Sequence, residues 1–152
     1  MNIQFKNELD IFLSQEIEKA KNNALLTDEA SKFIVTGHSQ AGDKYHAEAA
    51  AKLAESYVAS LKKLKKEIDE AKEIIMEKVE PVSKITIGYE DGSLLDFIFV
   101  SSAVSLTKYL FISDKSPLGL SIKGKSAGES FSYFVDEGGA KKKFSGKIIR
   151  VE

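Results

Sequence analysis

Residues 42–78 read GDKYHAEAAAKLAESYVASLKKLKKEIDEAKEIIMEK, and the spacing of their apolar residues decides the fold. Ala47, Ala50, Ala54, Tyr57, Leu61, Leu64, Ile68, Ala71 and Ile75 recur at alternating steps of three and four. That is the a/d spacing of a coiled-coil seam, sustained for about four heptads. Seam residues are small where the row begins and large where it ends. The helix therefore reads as a rod with a thin tip and a thick base. About 36 residues at ~1.5 Å rise would make it ~54 Å long.

Working outward toward the start of the chain, residues 3–34 carry a second helical stripe. Leu9, Leu13, Ile17, Ala20 and Ala24 recur at steps of four, four, three and four, and Phe5, Phe12, Leu26, Phe33 and Ile34 widen the row. No Pro or Gly interrupts it before Thr36. The breaker is Thr36-Gly37-His38-Ser39-Gln40-Ala41-Gly42, whose two glycines with polar neighbours predict a turn. Asp43 follows and is the expected N-cap of the second helix. Two long helices joined by a short connection run antiparallel. Ala24, Thr27 and Ser31 would then face Ala47, Ala50 and Ala54, bringing the backbones close near the turn. A hairpin of this length uses one face of each helix. It either stands free as a lever, packs along the rest of the chain, or dimerises along Leu61, Leu64 and Ile68. The run Lys62, Lys63, Lys65 and Lys66 reads as a solvated face beside the seam, with Glu67, Asp69, Glu70 and Glu73 as partners.

Toward the end of the chain the pattern changes. Pro81 is the expected stop of the second helix, and 78–84 reads as a linker. Strand-like runs follow at 85–89, 94–101, 108–113, 129–135 and 143–151. Asp91-Gly92 and Asp136-Glu137-Gly138-Gly139 are hairpin turns. Leu95, Phe97 and Phe99 share one face by alternation. Residues 117–122 form a short helix with Ser116 as its cap, and Gly124 and Gly128 bound a tight loop. The expected fold class is α+β: an antiparallel two-helix coiled coil over 1–78, a linker over 79–84, and a small curved antiparallel β domain with one short helix over 85–152.

Composition narrows the function classes. The chain has 152 residues, 43% hydrophobic and 30% charged, which suits a soluble globular protein. No apolar run reaches the ~18–20 residues that span a bilayer. The start lacks the basic and apolar regions of a secretion signal, so a cytoplasmic protein is expected. There are no cysteines, which excludes disulfides and thiolate metal sites. Net charge is −1 and Arg150 is the only arginine, a poor endowment for reading DNA bases. Residues 1–83 carry 12 Lys and 15 acids, net −3; residues 84–152 carry 10 Lys or Arg and 8 acids, net +2. This mild split suits a protein partner. No Ser-His-Asp arrangement, phosphate-binding Gly loop or HExxH is present. An enzyme in its own right is not expected.

Three blocks carry a resemblance. They are Ile112-Ser113-Asp114-Lys115-Ser116-Pro117-Leu118-Gly119, then Gly124-Lys125-Ser126-Ala127-Gly128-Glu129, then Gly138-Gly139-Ala140-Lys141-Lys142-Lys143-Phe144. In order and spacing they resemble the C-terminal domain of the Gre family of bacterial transcript-cleavage and elongation factors. The preceding hairpin is similar to that family's N-terminal coiled coil. The resemblance implies a head like an FK506-binding-protein sheet that grips the rim of the secondary channel of RNA polymerase. It implies a hairpin that enters the channel and brings two tip carboxylates to the active site. There they would help hold a second Mg²⁺, which takes hard oxygen ligands and keeps waters that can attack the nascent RNA. The implied partner is RNA polymerase, with indirect contact to nascent RNA, no membrane, and a monomer rather than a dimer. No cofactor of its own is implied, any Mg²⁺ being shared with the polymerase.

The tip departs from the pattern. The family's tip reads G-D-L-x-E-N-A-E-Y, whereas this chain has Gly42-Asp43-Lys44-Tyr45-His46-Ala47-Glu48. Anchored on Gly-Asp, Asp43 matches one acid and His46 stands where the second should be. Anchored on Tyr45-His46, both acids are lost, with His38 and Ala41 in their places. Either way the carboxylate pair is incomplete, and a channel-occupying modulator stands beside cleavage stimulation. Neutral His is a poor Mg²⁺ ligand. Asp43, His46 and Glu48 are the tip candidates, with Asp28 and Glu29 as further nearby acids. The Ser116, Pro117, Leu118 and Gly119 turn is the candidate polymerase grip. Two other classes remain open: a peptide-binding or prolyl-isomerase module using Phe97, Phe99, Phe111, Phe131, Tyr133 and Phe134, and a dimeric coiled-coil protein.

Overall fold

A computed structural model describes residues 3–33, 41–71 and 77–152, with the side chains of 30–33 and 41–44 left out. The turn expected at 36–42, with His38, and the last seam residue, Ile75, lie outside the described residues. Helix α1 runs Ile3–Phe33 and α2 runs Ala41–Glu70. The pair is antiparallel. Leu9 and Leu13 share one buried cluster with Leu64 and Ile68, while Ile17 and Ala20 share another with Val58 and Leu61. No described helix is long and apolar enough to cross a membrane.

The seam follows the expected row fully at the base and in part farther out. Leu61, Leu64 and Ile68 are fully buried, but farther out Ala51 and Val58 are buried while Ala50 and Tyr57 are exposed. The contact face shifts by one residue at these two positions, while Ala47 and Ala54 of the expected row stay half-buried. Val58 is wholly apolar, whereas Tyr57 keeps its hydroxyl in water by facing out. Because Leu61, Leu64 and Ile68 are used up within the chain, they are not available for dimerisation.

Helix α2 stops at Glu70, well short of Pro81. Two interactions account for this. The Lys6 ammonium donates to the carbonyls of Asp69 (3.1 Å) and Ala71 (2.7 Å), satisfying acceptors at the helix end. Beyond, the chain is recruited by the head: Lys78 bridges to Ser126, and the Val79 N–H donates to the Lys125 carbonyl at 2.7 Å. The expected linker contributes to the core at three positions, while Glu80 is exposed. Val79 packs with one apolar cluster, Val82 with another, and Ser83 is fully buried. Val82 has φ 67°, left-handed backbone that is rare for a β-branched residue.

Five strands follow: β1 Ser83–Tyr89, β2 Leu94–Val100, β3 Phe111–Ser113, β4 Ser130–Glu137 and β5 Ala140–Val151. Helix α3, Pro117–Ile122, lies between β3 and β4. The sheet order is β3-β2-β1-β5-β4. All pairs are antiparallel except β2–β3, which is parallel, so the sheet is mixed rather than antiparallel throughout. Residues 101–110 make the crossover. Val104, Leu106 and Tyr109 within it pack on the helical pair, which leaves β3 only three residues. The Gly138-Gly139 turn has φ values of 63° and 89°, those of a type I′ turn between Glu137 and Ala140.

Two layers cover the sheet. On one face Ile85, Ile87, Phe97, Phe99, Phe131 and Ile148 pack with Leu118 and Ile122 of α3. On the other, Ile98 and Val100 of β2 pack with Leu9, Leu13, Leu64 and Ile68. The helical pair is thus rooted on β2 and on the crossover. Phe5 and Phe12 meet Tyr109 edge-on, at 5.8 and 5.1 Å between ring centres. The Glu67 carboxylate accepts from the Ser101 and Ser102 N–H groups at 2.5 and 3.0 Å.

A charge cluster ties the two helices together at their base. Lys65 bonds Asp10 across the pair and Asp69 on its own helix. The Lys65 bond holds the Asp10 carboxyl below its ordinary value, and the same bond raises Lys65. A depressed carboxyl stabilises above the ordinary carboxylate range and loses that contribution as pH falls through its folded pKa. These groups are partly solvated, so Asp10→Asn is expected to cost only about 0.5 kcal/mol near neutral pH. The variant's deficit should vanish in strong acid, as read by chemical denaturation at both pH values.

Candidate functional site

Three places are candidates for a functional site: the outer hairpin, the turn before α3, and a cleft on the sheet. The hairpin's apolar contacts with the head come from its inner part. Beyond Val58, the outer stretch of α2 over 41–57 extends about 25 Å. Tyr45, Leu53 and Tyr57 are exposed along it. Of the tip candidates, Asp43 has helical backbone, so it lies inside α2 rather than capping it, and its side chain is outside the described residues. His46 is exposed, and Tyr45 meets it edge-on at 5.9 Å between rings. Glu48 is exposed two residues on. Of the tip side chains that are described, His46 and Glu48, a ring nitrogen and one carboxylate do not form the hard-oxygen set that Mg²⁺ takes. Among the described residues no group of three or more His, Asp or Glu side chains is placed to hold a metal. Asp28 is half-buried and Glu29 exposed, both on α1.

The turn before α3 is tightly built. Ser116 has extended backbone (φ −71°, ψ 157°). Its hydroxyl accepts from the Gly119 N–H at 3.0 Å and donates to the Ser113 carbonyl at 2.7 Å. Pro117 sits at the first helical turn, where its missing N–H costs nothing. Asp114 pairs with Lys123 at 2.9 Å, and its other carboxylate oxygen is buried with no hydrogen-bond partner. The four grip candidates divide by position. Pro117 is exposed and Ser116 half-buried, whereas Leu118 and Gly119 are inside. A Cβ on Gly119 would lie 2.0 Å from the Ser113 carbonyl oxygen, so this glycine is required for space. Leu118 and Gly119 can hold the turn but do not face a partner. Exposed Leu120 can, and sequence reading missed it. Its signal was its place two residues after buried Leu118 in a capped helix.

The cleft, about 770 Å³, is lined by Gly88, Leu94, Lys147, Ile149, Ser130 and Ser132, with Ser121 and Lys125 beyond β4. Gly146 in its wall lets β1 and β5 approach, since a Cβ there would lie 2.2 Å from the Gly88 carbonyl oxygen. The aromatics considered for a peptide pocket are placed otherwise. Phe97, Phe99, Phe111 and Phe131 are buried, Tyr133 is half-buried and Phe134 exposed. Tyr133 and Tyr89 share a hydroxyl–hydroxyl bond at 2.9 Å. Burial, and then that bond, push the Tyr89 phenol well above its usual range, so it stays neutral.

No known family's sequence profile matches the chain, and no curated protein matches it. Solved structures of transcription factors do match. The transcription factor Gfh1 is 18% identical over 93% of this chain and 92% of that one, at a TM-score of 0.40. GreA factor homolog 1 (Gfh1) of Thermus thermophilus is 19% identical over 94% of each chain, at 0.39. The elongation factor GreA/GreB from Nitrosomonas europaea is 19% identical over 68% of this chain and 91% of that one, at 0.40.

Proposed function

We propose that this chain is an RNA polymerase-binding regulator of transcript elongation, in which the head over 85–152 docks on the enzyme and the hairpin over 1–78 enters its secondary channel. The observation that carries this reading is the rooting of the hairpin. Leu9, Leu13, Leu64 and Ile68 fix its base to β2, while the outer part of α2 continues past the last head contacts. A lever held at one end and narrow at the other is suited to probing a pore. The three blocks around Ser113, Gly124 and Gly138 support the same reading by their resemblance to the Gre family's head.

The tip decides the mode of action. With His46 beside Tyr45 and no second carboxylate in its place, the hairpin occupies the channel and modulates elongation rather than stimulating RNA cleavage. Pro117 and Leu120 are the exposed part of the docking turn. The test is a pull-down with RNA polymerase followed by transcript cleavage in stalled elongation complexes. Binding without shortening of the RNA is expected. Shortening on addition of the protein would refute the occupancy mode, and failure to bind polymerase would refute the reading altogether.

A further inference from the structure

The sheet ends on β4, and that edge is open from Ser132 onward; at its start the Lys125 ammonium donates to the Ser130 carbonyl at 3.0 Å. The two-residue turn at Gly138-Gly139 makes Glu137 and Ala140 a hydrogen-bonded pair, so Phe131, Tyr133 and Val135 direct their main-chain N–H and C=O groups toward β5. The alternate residues Ser130, Ser132, Phe134 and Asp136 direct theirs outward. Edge strands are ordinarily blunted by lysine, proline or short length. β4 is eight residues long and has neither Lys nor Pro; its charges, Asp136 and Glu137, are confined to its far end. Lysines stand instead one strand inward. Lys147 is opposite Ser130, Lys143 opposite Phe134 and Lys141 opposite Asp136, all on the face not covered by α3. Among the described residues, neither Lys143 nor Lys147 has an acid within ion-pair distance. Lys147 and Lys125 line the cleft that crosses the start of this strand, with Glu90 as the one acid in its lining.

We propose that the edge of β4 over residues 130–134 accepts an acidic extended segment of a partner protein as a sixth strand. The main-chain N–H and C=O groups of Ser132 and Phe134, with the Ser130 N–H, supply the ladder, the Ser130 carbonyl being taken by Lys125. The cleft receives side chains on the uncovered face, and Lys143 and Lys147 select acidic ones there by charge complementarity. Asp136 and Glu137 repel the same segment, which confines it to the start of the strand. This site is separate from the Ser116 turn and does not depend on the polymerase reading.

The test uses a fluorescein-labelled peptide of alternating glutamate and valine, titrated into the full chain by fluorescence anisotropy. Saturable binding is expected, with slowed amide exchange at Ser132 and Phe134. Lys143→Glu with Lys147→Glu should weaken binding by about tenfold or more, because unpaired rim charges act on association. Lys143→Gln with Lys147→Gln, read alongside the unchanged circular dichroism of each variant, guards against misfolding. Main-chain pairing uses alternate peptide amides, so methylating the amides of one residue type should abolish binding while methylating those of the other preserves it. Equal binding of a lysine-for-glutamate peptide, equal effects of the two methylated sets, or unchanged exchange at Ser132 and Phe134 would each overturn the proposal. So would a labelled single-stranded oligonucleotide that binds where the peptide does not.

Discussion

Gly119→Ala is expected to destabilise the head by about 3 kcal/mol, the upper end of what overpacking a tight site costs. Helix propensity alone predicts the opposite sign, since alanine is favoured over glycine in a helix by about 1 kcal/mol. The geometry decides between them. The added Cβ would meet the Ser113 carbonyl oxygen at 2.0 Å and the Ser116 hydroxyl at 3.0 Å. Both are parts of the cap, so relief requires α3 to move away from the turn. That movement would stretch the Gly119-to-Ser116 bond and draw Leu118 and Ile122 out of the buried cluster they share with Phe99 and Phe131. Chemical denaturation gives the stability change, and a stabilised variant would disprove the account. If the turn docks the polymerase, the same substitution should also weaken capture by polymerase at temperatures where the variant is folded.

Leu64→Ala is the second large effect. Leu64 is fully buried, clustered with Leu9, Leu13 and Ile68 of the hairpin and with Val82, Ile98 and Val100 of the head. Truncation removes transfer free energy and leaves a cavity spanning both parts, for a cost of about 3 kcal/mol. For a chain of this size that corresponds to a melting temperature lower by roughly 10 °C. Leu53→Ala is the matched control. Leu53 is 74% exposed on the outer part of the same helix, and its loss should stay within about 0.5 kcal/mol. If the two variants melt alike, the hairpin is not anchored where the structure places it.

The pattern of residues carried the local features further than the long-range ones. Helix α3 and its Ser116 cap were legible because a cap, a proline at the first turn and two buried residues four apart all lie within seven positions. The Asp91-Gly92 and Gly138-Gly139 turns were legible for the same reason, because positive φ singles out glycine locally. The base of the hairpin was legible because only one row there is large and apolar. Its outer half was not. Ala50 and Tyr57 form as good a row as Ala51 and Val58, and only the opposing helix chooses between them. Nor could alternation show that β3 runs parallel to β2, because that pairing depends on the crossover settling on α1. The early end of α2 depends on Lys6, more than sixty residues away in sequence. For the candidate site, the Ser116 turn was found, but its division into inward Leu118 and outward Leu120 needed the three-dimensional packing.

Val82 joins the hairpin's core to the first strand, with φ 67° and its side chain buried. A glycine would adopt that backbone freely, whereas a valine there costs on the order of 1–3 kcal/mol. The branched side chain is held by the same cluster that anchors Leu64, and its N–H is bonded to the Phe99 carbonyl at 2.7 Å. The shoulder between lever and head is therefore a welded elbow and not a swivel. Whatever aims the head also aims the rod, and a push on the outer helices is passed into the sheet instead of being lost as rotation at the junction.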